Sequence, residues 1–374
     1  MTPEQAMARA LARARRASGR SFPNPPVGAV VLRGGRVLGQ GETRRAGGPH
    51  AEIVALTRAR ARHGAAALSG ATLAVTLEPC CHHGRTSPCT DAILAAGIRR
   101  VWIGHRDPNP RVSGGGIRQL RRRGVALEVG VLEAACREQH RGFLSVQERG
   151  RPFVALKLAA TLDGRIATAR GESRWITGPG ARALVHRLRD RADAVMIGSG
   201  TARADDPRLD VRREGRQRRT PVRLLVDASL AVSPRAKMFR DAAARSTWLL
   251  TRRGHAAEAL ARRTARGARV LELPRRALHL ELGAALAALA REGLSEILVE
   301  GGGGLAAALL RAGLVDELHW FAAASLLGGD GRPALGPLGI ARLAERVALE
   351  VREVRRLGED LYVRARLTPS GGRA

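Results

Sequence analysis

Apolar positions along the first third of the chain recur in two periods, one of about 3.6 residues and one of 2, and the switches between them mark out the elements. Pro3 to Ser18 places Met7 and Leu11 on one face among Ala and Arg, which predicts an opening helix. Val27 to Leu32 is a strand-like run, and Arg33-Gly34-Gly35-Arg36 turns it back into Val37-Leu38-Gly39 as a hairpin. A helix opens at His50, with Pro49 suited to a first turn and Ile53, Val54 and Leu56 as its apolar positions. Leu73 to Leu77 is the next strand and delivers Cys80 at its end. Cys89 begins a helix through Ala92, Ile93 and Leu94 that Gly97 stops. Val101 to Gly104 and Val125 to Val129 read as two more strands, so this part is expected to be a three-layer α/β/α domain.

The polar Arg149-Gly150-Arg151-Pro152 joint ends this pattern. A chain of 374 residues is too long for one ordinary core, and two domains are expected, 1–147 and 148–374. In the second, Val154 to Ala160 predicts a strand, and Ala183, Val185 and Leu188 mark a helix. Ala194 to Thr201 predicts a buried strand running into a glycine turn, and Arg212 to Pro221 a basic loop. Ile297 to Val299 leads into Glu300-Gly301-Gly302-Gly303-Gly304-Leu305 and a further helix. Strand, glycines, helix is an arrangement in which backbone amides hold a phosphate, although the G-x-G-x-x-A match at Gly301, Gly303 and Ala306 is weak alone and fits a ligand-free turn equally well.

Composition changes the picture little. Hydrophobic residues make up 44% and charged residues 26%, as in soluble globular proteins. No apolar run approaches the roughly 18 residues of a membrane span, and the Arg-rich first twenty residues lack a signal core. The net charge of +30 would ordinarily suggest nucleic acid. However, Lys157 and Lys237 are the only lysines, the arginines are spread along the whole chain, and 3% aromatic residues provide few stacking platforms. A compositional bias is preferred, and neither nucleic acid nor a membrane is expected as a partner. The four cysteines form no disulfide framework, which points to the cytoplasm. Cys136, within a helical pattern, reads as a small core residue.

The chemistry lies between Pro49 and Cys89. His50, Cys80 and Cys89 supply an imidazole and two thiolates, which suits a zinc ion with its fourth position open to water. A structural zinc would close all four positions with protein ligands. Cys81 is the alternative to Cys80, since adjacent side chains rarely reach one metal. Glu52 completes H-x-E, in which zinc nucleobase deaminases use the glutamate as proton shuttle and not as ligand. Eight residues separate Cys80 from Cys89 where the common deaminase pattern has two. Lys157 lies inside an apolar strand, a costly place unless paired, so a cleft facing an anionic or carbonyl-derived group is expected.

The insert from Cys81 to Pro88, Pro23-Asn24-Pro25-Pro26-Val27-Gly28 upstream and Asp107-Pro108-Asn109-Pro110-Arg111-Val112 downstream resemble the bacterial riboflavin-pathway pyrimidine deaminases. Lys157 to Gly164, Gly171 to Thr177, Gly198 to Pro207 and Glu300 to Gly304 resemble the reductase half of the same bifunctional RibD family. The resemblance covers nearly the whole chain. It implies a cytidine-deaminase-like domain followed by a dihydrofolate-reductase-like one, with zinc and NADPH as cofactors and a small phosphorylated pyrimidine as substrate. An assembly of identical chains is also expected. It further implies cofactor contacts at Ala159, Trp175, Thr201, Asp205, Gly302, Gly303, Gly304 and Leu305. Substrate contacts are implied at Asn24, His82, Arg85 and Asp107 in the first half, and at Lys157, Ser173, Arg189, Leu209, Arg212 and Glu300 in the second. Trp175 has a core position as its alternative, and Glu300 a role at the helix start only. Thr43 departs from the family, which often has histidine there. An RNA or nucleoside deaminase with a C-terminal binding module is the competing reading; it explains the zinc motif and the charge but not the later motifs.

Overall fold

Thr2 and Gln5 form a capping box, each side chain accepting the other's backbone N–H, so helix α1 (Pro3–Ala17) starts with two of its orphan donors satisfied. The computed structural model describes residues 1–82, 87–213, 216–276 and 279–368. Its contacts divide the chain into one unit of Met1–Arg151 with Glu292–Ser295 and another of Pro152–Arg291 with Glu296–Ala374.

In the first unit β1 (Gly28–Arg33) and β2 (Arg36–Glu42) form the expected hairpin, with Gly34 and Gly35 at φ +54° and +76°, a turn open to glycine at both positions. Helix α2 (Ala51–His63) leads to β3 (Thr72–Val75), α3 (Cys89–Ala95), β4 (Arg100–Ile103), α4 (Gly115–Arg122), β5 (Ala126–Val129) and α5 (Glu133–Gln139). The sheet order is β2-β1-β3-β4-β5. Period-2 alternation sends Val31, Leu73, Val75, Val101 and Ile103 to the face covered by α2, α3 and α4. Val30, Leu32, Ala74 and Trp102 meet Met7, Ala10 and Cys136 on the other, giving the three layers. A Cβ on Gly41 would lie 2.2 Å from the Ala51 carbonyl oxygen, so α2 sits against bare backbone at the end that carries His50.

A buried relay lies within this unit. His105 Nδ1–H donates to the Arg106 carbonyl at 2.8 Å and its Nε2 accepts from His140 Nδ1–H at 2.8 Å. His140 Nε2 lies within hydrogen-bond reach of the Thr76 hydroxyl, at 3.2 Å. Burial is the largest cause that lowers the pKa of each ring and so favours its neutral form. Their folded pKa values lie below the unfolded value of about 6.5, so the stability they contribute is present above that pH and is lost as pH falls through it. Glu52 and Asp107, both raised to about 6 with burial the largest cause, act in the opposite sense and cost stability as pH rises from about 4 to 6. The histidine contribution is isolated by comparison. Between about pH 7 and 5.5 the urea midpoint of the natural protein should fall more steeply than that of His140→Gln, and equal slopes would refute this.

The second unit is built on a sheet of nine strands. After α6 (Arg141–Arg149) these are β6 (Phe153–Thr161), β7 (Ala194–Gly198), β8 (Val222–Val226), β9 (Thr247–Arg252), β10 (Arg269–Leu273), β11 (Glu296–Val299), β12 (Glu317–Ala323), β13 (Leu349–Leu357) and β14 (Asp360–Leu367). Their order is β10-β9-β8-β7-β11-β6-β12-β14-β13, parallel as far as β12 and antiparallel beyond. Helices α7 (Pro179–Arg191), α8 (Ser199–Asp205) and α9 (Gly303–Arg311) flank the central strands. The expected glycine turn after β7 is helix α8, because its two glycines fall at the cap and first turn, where a helix tolerates them. The expected loop from Arg212 is in part a hairpin, Val211–Arg213 pairing antiparallel with Arg216–Arg219, since a backbone ladder needs no apolar side chains. No helix among the described residues is long and apolar enough to cross a membrane.

Candidate active sites

His50 is the N-cap of α2, Cys80 follows β3 and Cys89 is the first residue of α3, so two helix starts and a strand end meet. His50 Nδ1 lies 3.3 Å from Cys89 Sγ and 3.6 Å from Cys80 Sγ, and all three ligand atoms fall within 4.8 Å of one another. Tetrahedral ligands at about 2.0–2.3 Å from zinc lie about 3.3–3.8 Å apart, so the donor set and its spacing fit that ion. Cys81 is not in the cluster. The Cys80 thiol is pulled to about 4 by hydrogen bonds, first from Cys89 and then from His50, so a thiolate is at hand. Glu52, 4% exposed in the first turn of α2, is raised to about 6 by burial and by the Cys80 charge.

The pocket residues expected around this cluster are spread over three segments. Asn24 is half-buried in the turn after α1, where its N–H donates to the Ser21 carbonyl at 2.9 Å. Asp107 is buried, its Oδ1 accepts from Asn109 N–H at 2.8 Å, and it feels the charge of Cys80. His82 is half-buried with Nδ1 unpartnered among the described residues. Arg85 lies outside the described residues. Thr43 is buried, and its hydroxyl accepts from Val27 N–H at 3.1 Å, a tie to the backbone before β1. Sequence reasoning missed Glu78, whose buried carboxylate accepts three backbone N–H groups. Its position at the end of an apolar strand, just before Pro79-Cys80, was the available signal.

In the second unit the register pairs Leu156 of β6 with Val299 of β11, and Val299 with Met196 of β7, so Lys157, Glu300 and Ile197 are level. Glu300 follows the carboxyl end of β11 and Ile197 is one residue from that of β7, the edge where open α/β sheets bind ligands, while Lys157 lies within the longer β6. Arg189 on α7 grips Glu300 with two bonds, Nε to Oε1 at 2.5 Å and Nη2 to Oε2 at 2.9 Å, and donates Nη1 to the Asp210 carbonyl at 2.9 Å. Burial opposes ionisation of Glu300, but Arg189 and Lys157 outweigh it and hold its pKa below the ordinary value. Burial lowers the Lys157 pKa against the pull of Glu300 and Asp205.

Thr201 Oγ1 accepts from Gly302 N–H at 2.7 Å, joining the α8 start to the glycine turn that runs through Gly303 and Gly304 to Leu305. The Asp205 carbonyl accepts from Arg174 Nη2 at 3.1 Å. Trp175 is 74% exposed under the Arg182 guanidinium, 4.7 Å from the ring centroid, which removes the core alternative. Ala159 and Ser173 are half-buried. Leu209 is buried in the core at φ +53°. Arg212 is largely exposed and bonds Asp210 at 3.1 Å. His186 went unread: its Nδ1 accepts from Arg212 N–H at 3.2 Å, and its i,i+3 spacing to Arg189 was the signal.

Two family descriptions match. Residues 1–105 match the cytidine and deoxycytidylate deaminase zinc-binding region, and residues 152–363 the RibD C-terminal domain. The riboflavin biosynthesis protein RibD of Escherichia coli is 38% identical over 96% of this chain and 98% of its own length. That of Aquifex aeolicus is 39% identical over 95% of each. Among solved structures, Acinetobacter baumannii RibD is 32% identical with a TM-score of 0.85, covering 98% of this chain and 99% of that one. A Thermotoga maritima diaminohydroxyphosphoribosylaminopyrimidine deaminase/5-amino-6-(5-phosphoribosylamino)uracil reductase is 34% identical with a TM-score of 0.85 over the same shares.

Proposed function

The chain belongs to the RibD family of riboflavin biosynthesis, and from that premise we propose which residues of each unit do its chemistry. It is a bifunctional enzyme with zinc and NADPH as cofactors, deaminating a diamino-ribosylaminopyrimidine phosphate and then reducing its ribosyl group to ribityl. We assign the first step to residues 1–147 and the second to 148–374. The observation that carries the reading is the pair of constellations in one chain: His50, Cys80 and Cys89 beside buried Glu52, and Lys157, Glu300 and Arg189 beside the glycine turn.

His50, Cys80 and Cys89 hold the metal, which when bound supplies the Lewis acidity that makes water a nucleophile near neutral pH. Glu52 takes a proton from the attacking water and passes protons to the ring nitrogen and the departing amine, so a C–O bond forms, the C2–N bond breaks and ammonia leaves. Its raised pKa lets it serve as base and then as acid near neutrality. Asn24, His82, Arg85 and Asp107 orient the base and its phosphate tail.

In the second unit NADPH, when bound, supplies the hydride for C1′ of the opened ribose. Ala159, Trp175, Thr201, Asp205 and Gly302 to Leu305 form its bed. Lys157, Ser173, Arg189, Leu209, Arg212 and Glu300 hold the ribosyl phosphate. With purified zinc-replete protein and the diaminopyrimidine ribosyl phosphate, ammonia release and NADPH oxidation should both appear, and the absence of either overturns its half of the reading.

The outer strand β13 exposes Leu349 at 45%, Val351 at 57% and Val354 at 65% on an edge that no strand among the described residues pairs. We read this edge as the contact with a second copy of the chain. Light scattering should give a multimeric mass that Val354→Lys reduces; a monomeric natural protein would refute it. A metal-ligating thiol pair and the small phosphorylated substrate support the reading of a cytoplasmic enzyme with no nucleic-acid partner, which cell fractionation and salt-dependent RNA retention test.

A further inference from the structure

Glu78, 3% exposed between β3 and Cys80, meets its acceptors' demand from main-chain groups alone: Oε2 accepts from Asp107 N–H at 3.2 Å and Gly114 N–H at 3.0 Å, and Oε1 accepts from Ile117 N–H at 3.1 Å. Two of these donors belong to the start of α4, where a carboxylate is favoured. The third is the backbone of Asp107, beyond what capping requires. The helix is pressed onto the cysteine-bearing turn, since a Cβ on Gly116 would lie 2.1 Å from the Pro79 carbonyl oxygen. One turn along α4, Gln119 accepts from the Thr90 hydroxyl at 3.0 Å and donates to Asp91 at 3.1 Å, while Thr90 N–H donates to the Cys80 carbonyl at 3.2 Å. Helix α4 therefore bridges both ends of the long insert between the cysteines, and Glu78 ties that bridge to Asp107.

We propose that Glu78 is a positioning residue of the deaminase, fixing Asp107 at the height where its carboxyl meets the pyrimidine. This rests on the reading of Asp107 as a substrate contact. A carboxylate is required because all three groups it faces are donors; a glutamine offers one oxygen and turns an NH2 group toward at least one of them.

The test uses the full zinc-replete chain. Glu78→Gln should raise KM for deamination about tenfold, the scale of one buried donor left unpaired, with kcat changed far less. Zinc per chain and the reductase rate on pre-deaminated substrate should stay unchanged. Glu78→Asp, which keeps the charge at a shorter reach, should show a smaller rise. In the double variant with Asp107→Asn, KM should be no higher than in Asp107→Asn alone, because both changes remove the same contact. Loss of zinc, a fall confined to kcat, or multiplying effects in the double variant would each overturn the proposal. If Asp107→Asn raises KM and Glu78→Gln does not, the positioning role alone fails. If Asp107→Asn leaves KM unchanged, the substrate reading fails and takes the proposal with it.

Discussion

Ammonia release should fall by about 10³-fold or more in Glu52→Gln, with zinc still bound at one per chain and the reductase step intact, because the variant removes the buried proton carrier beside the metal cluster and no ligand. Glutamine is nearly isosteric and cannot shuttle a proton. Glu52 occupies the first turn of α2 next to the cap residue His50, where burial has raised its pKa to about 6. A glutamate that only filled space there would tolerate the exchange. Deamination within tenfold of the natural rate in a zinc-loaded Glu52→Gln protein would remove Glu52 from the mechanism. The companion change Cys89→Ala should lose deamination and zinc together, and so separates proton transfer from metal binding.

Reduction should fall about 10²-fold in Glu300→Gln while deamination is unaffected, since a buried cation deprived of its counter-charge costs roughly 3 kcal/mol or more. Glu300 is held by two bonds from Arg189 and is level with Lys157, so its carboxylate balances two cations on two other elements. Without it the Lys157 pKa, already lowered by burial, should drop further. The alkaline limb of the reductase pH profile should then move to lower pH, because Lys157 loses its proton sooner. A reductase rate within twofold of the natural protein, or an unmoved alkaline limb, would leave Glu300 as a helix-start carboxylate and nothing more.

Most elements were legible because the signals that make them are local. Val30 and Val31 point to opposite faces whatever the rest of the chain does, and Gly34-Gly35 suits a tight hairpin by backbone freedom alone. The stretch from Arg212 was less legible, because strand pairing there rests on backbone bonds that leave no apolar pattern. Helix α8 was hidden in the same way, by glycines that read as a turn but sit where a helix can bear them. In the first site the ligand types and H-x-E were readable as residue chemistry. The family pattern assigns Cys80 over Cys81 there, and the fold brings Cys80 and not Cys81 into the cluster, since adjacent residues on one backbone send their side chains apart.

By itself the sequence determined the chemical inventory and the order of elements: an imidazole and two thiols at strand and helix ends, a shuttle glutamate, a lysine within a strand and a glycine turn, because residue type and side-chain period are properties of the chain. Only the tertiary structure decided what those groups meet. His50 lies 3.3 Å from Cys89 across thirty-nine positions of sequence, Arg189 closes on Glu300 across more than a hundred, and Glu78 reaches Asp107 through the packing of α4 on the Pro79 turn. Such distances follow from which strands pair and which helix faces bury, and no local pattern encodes them.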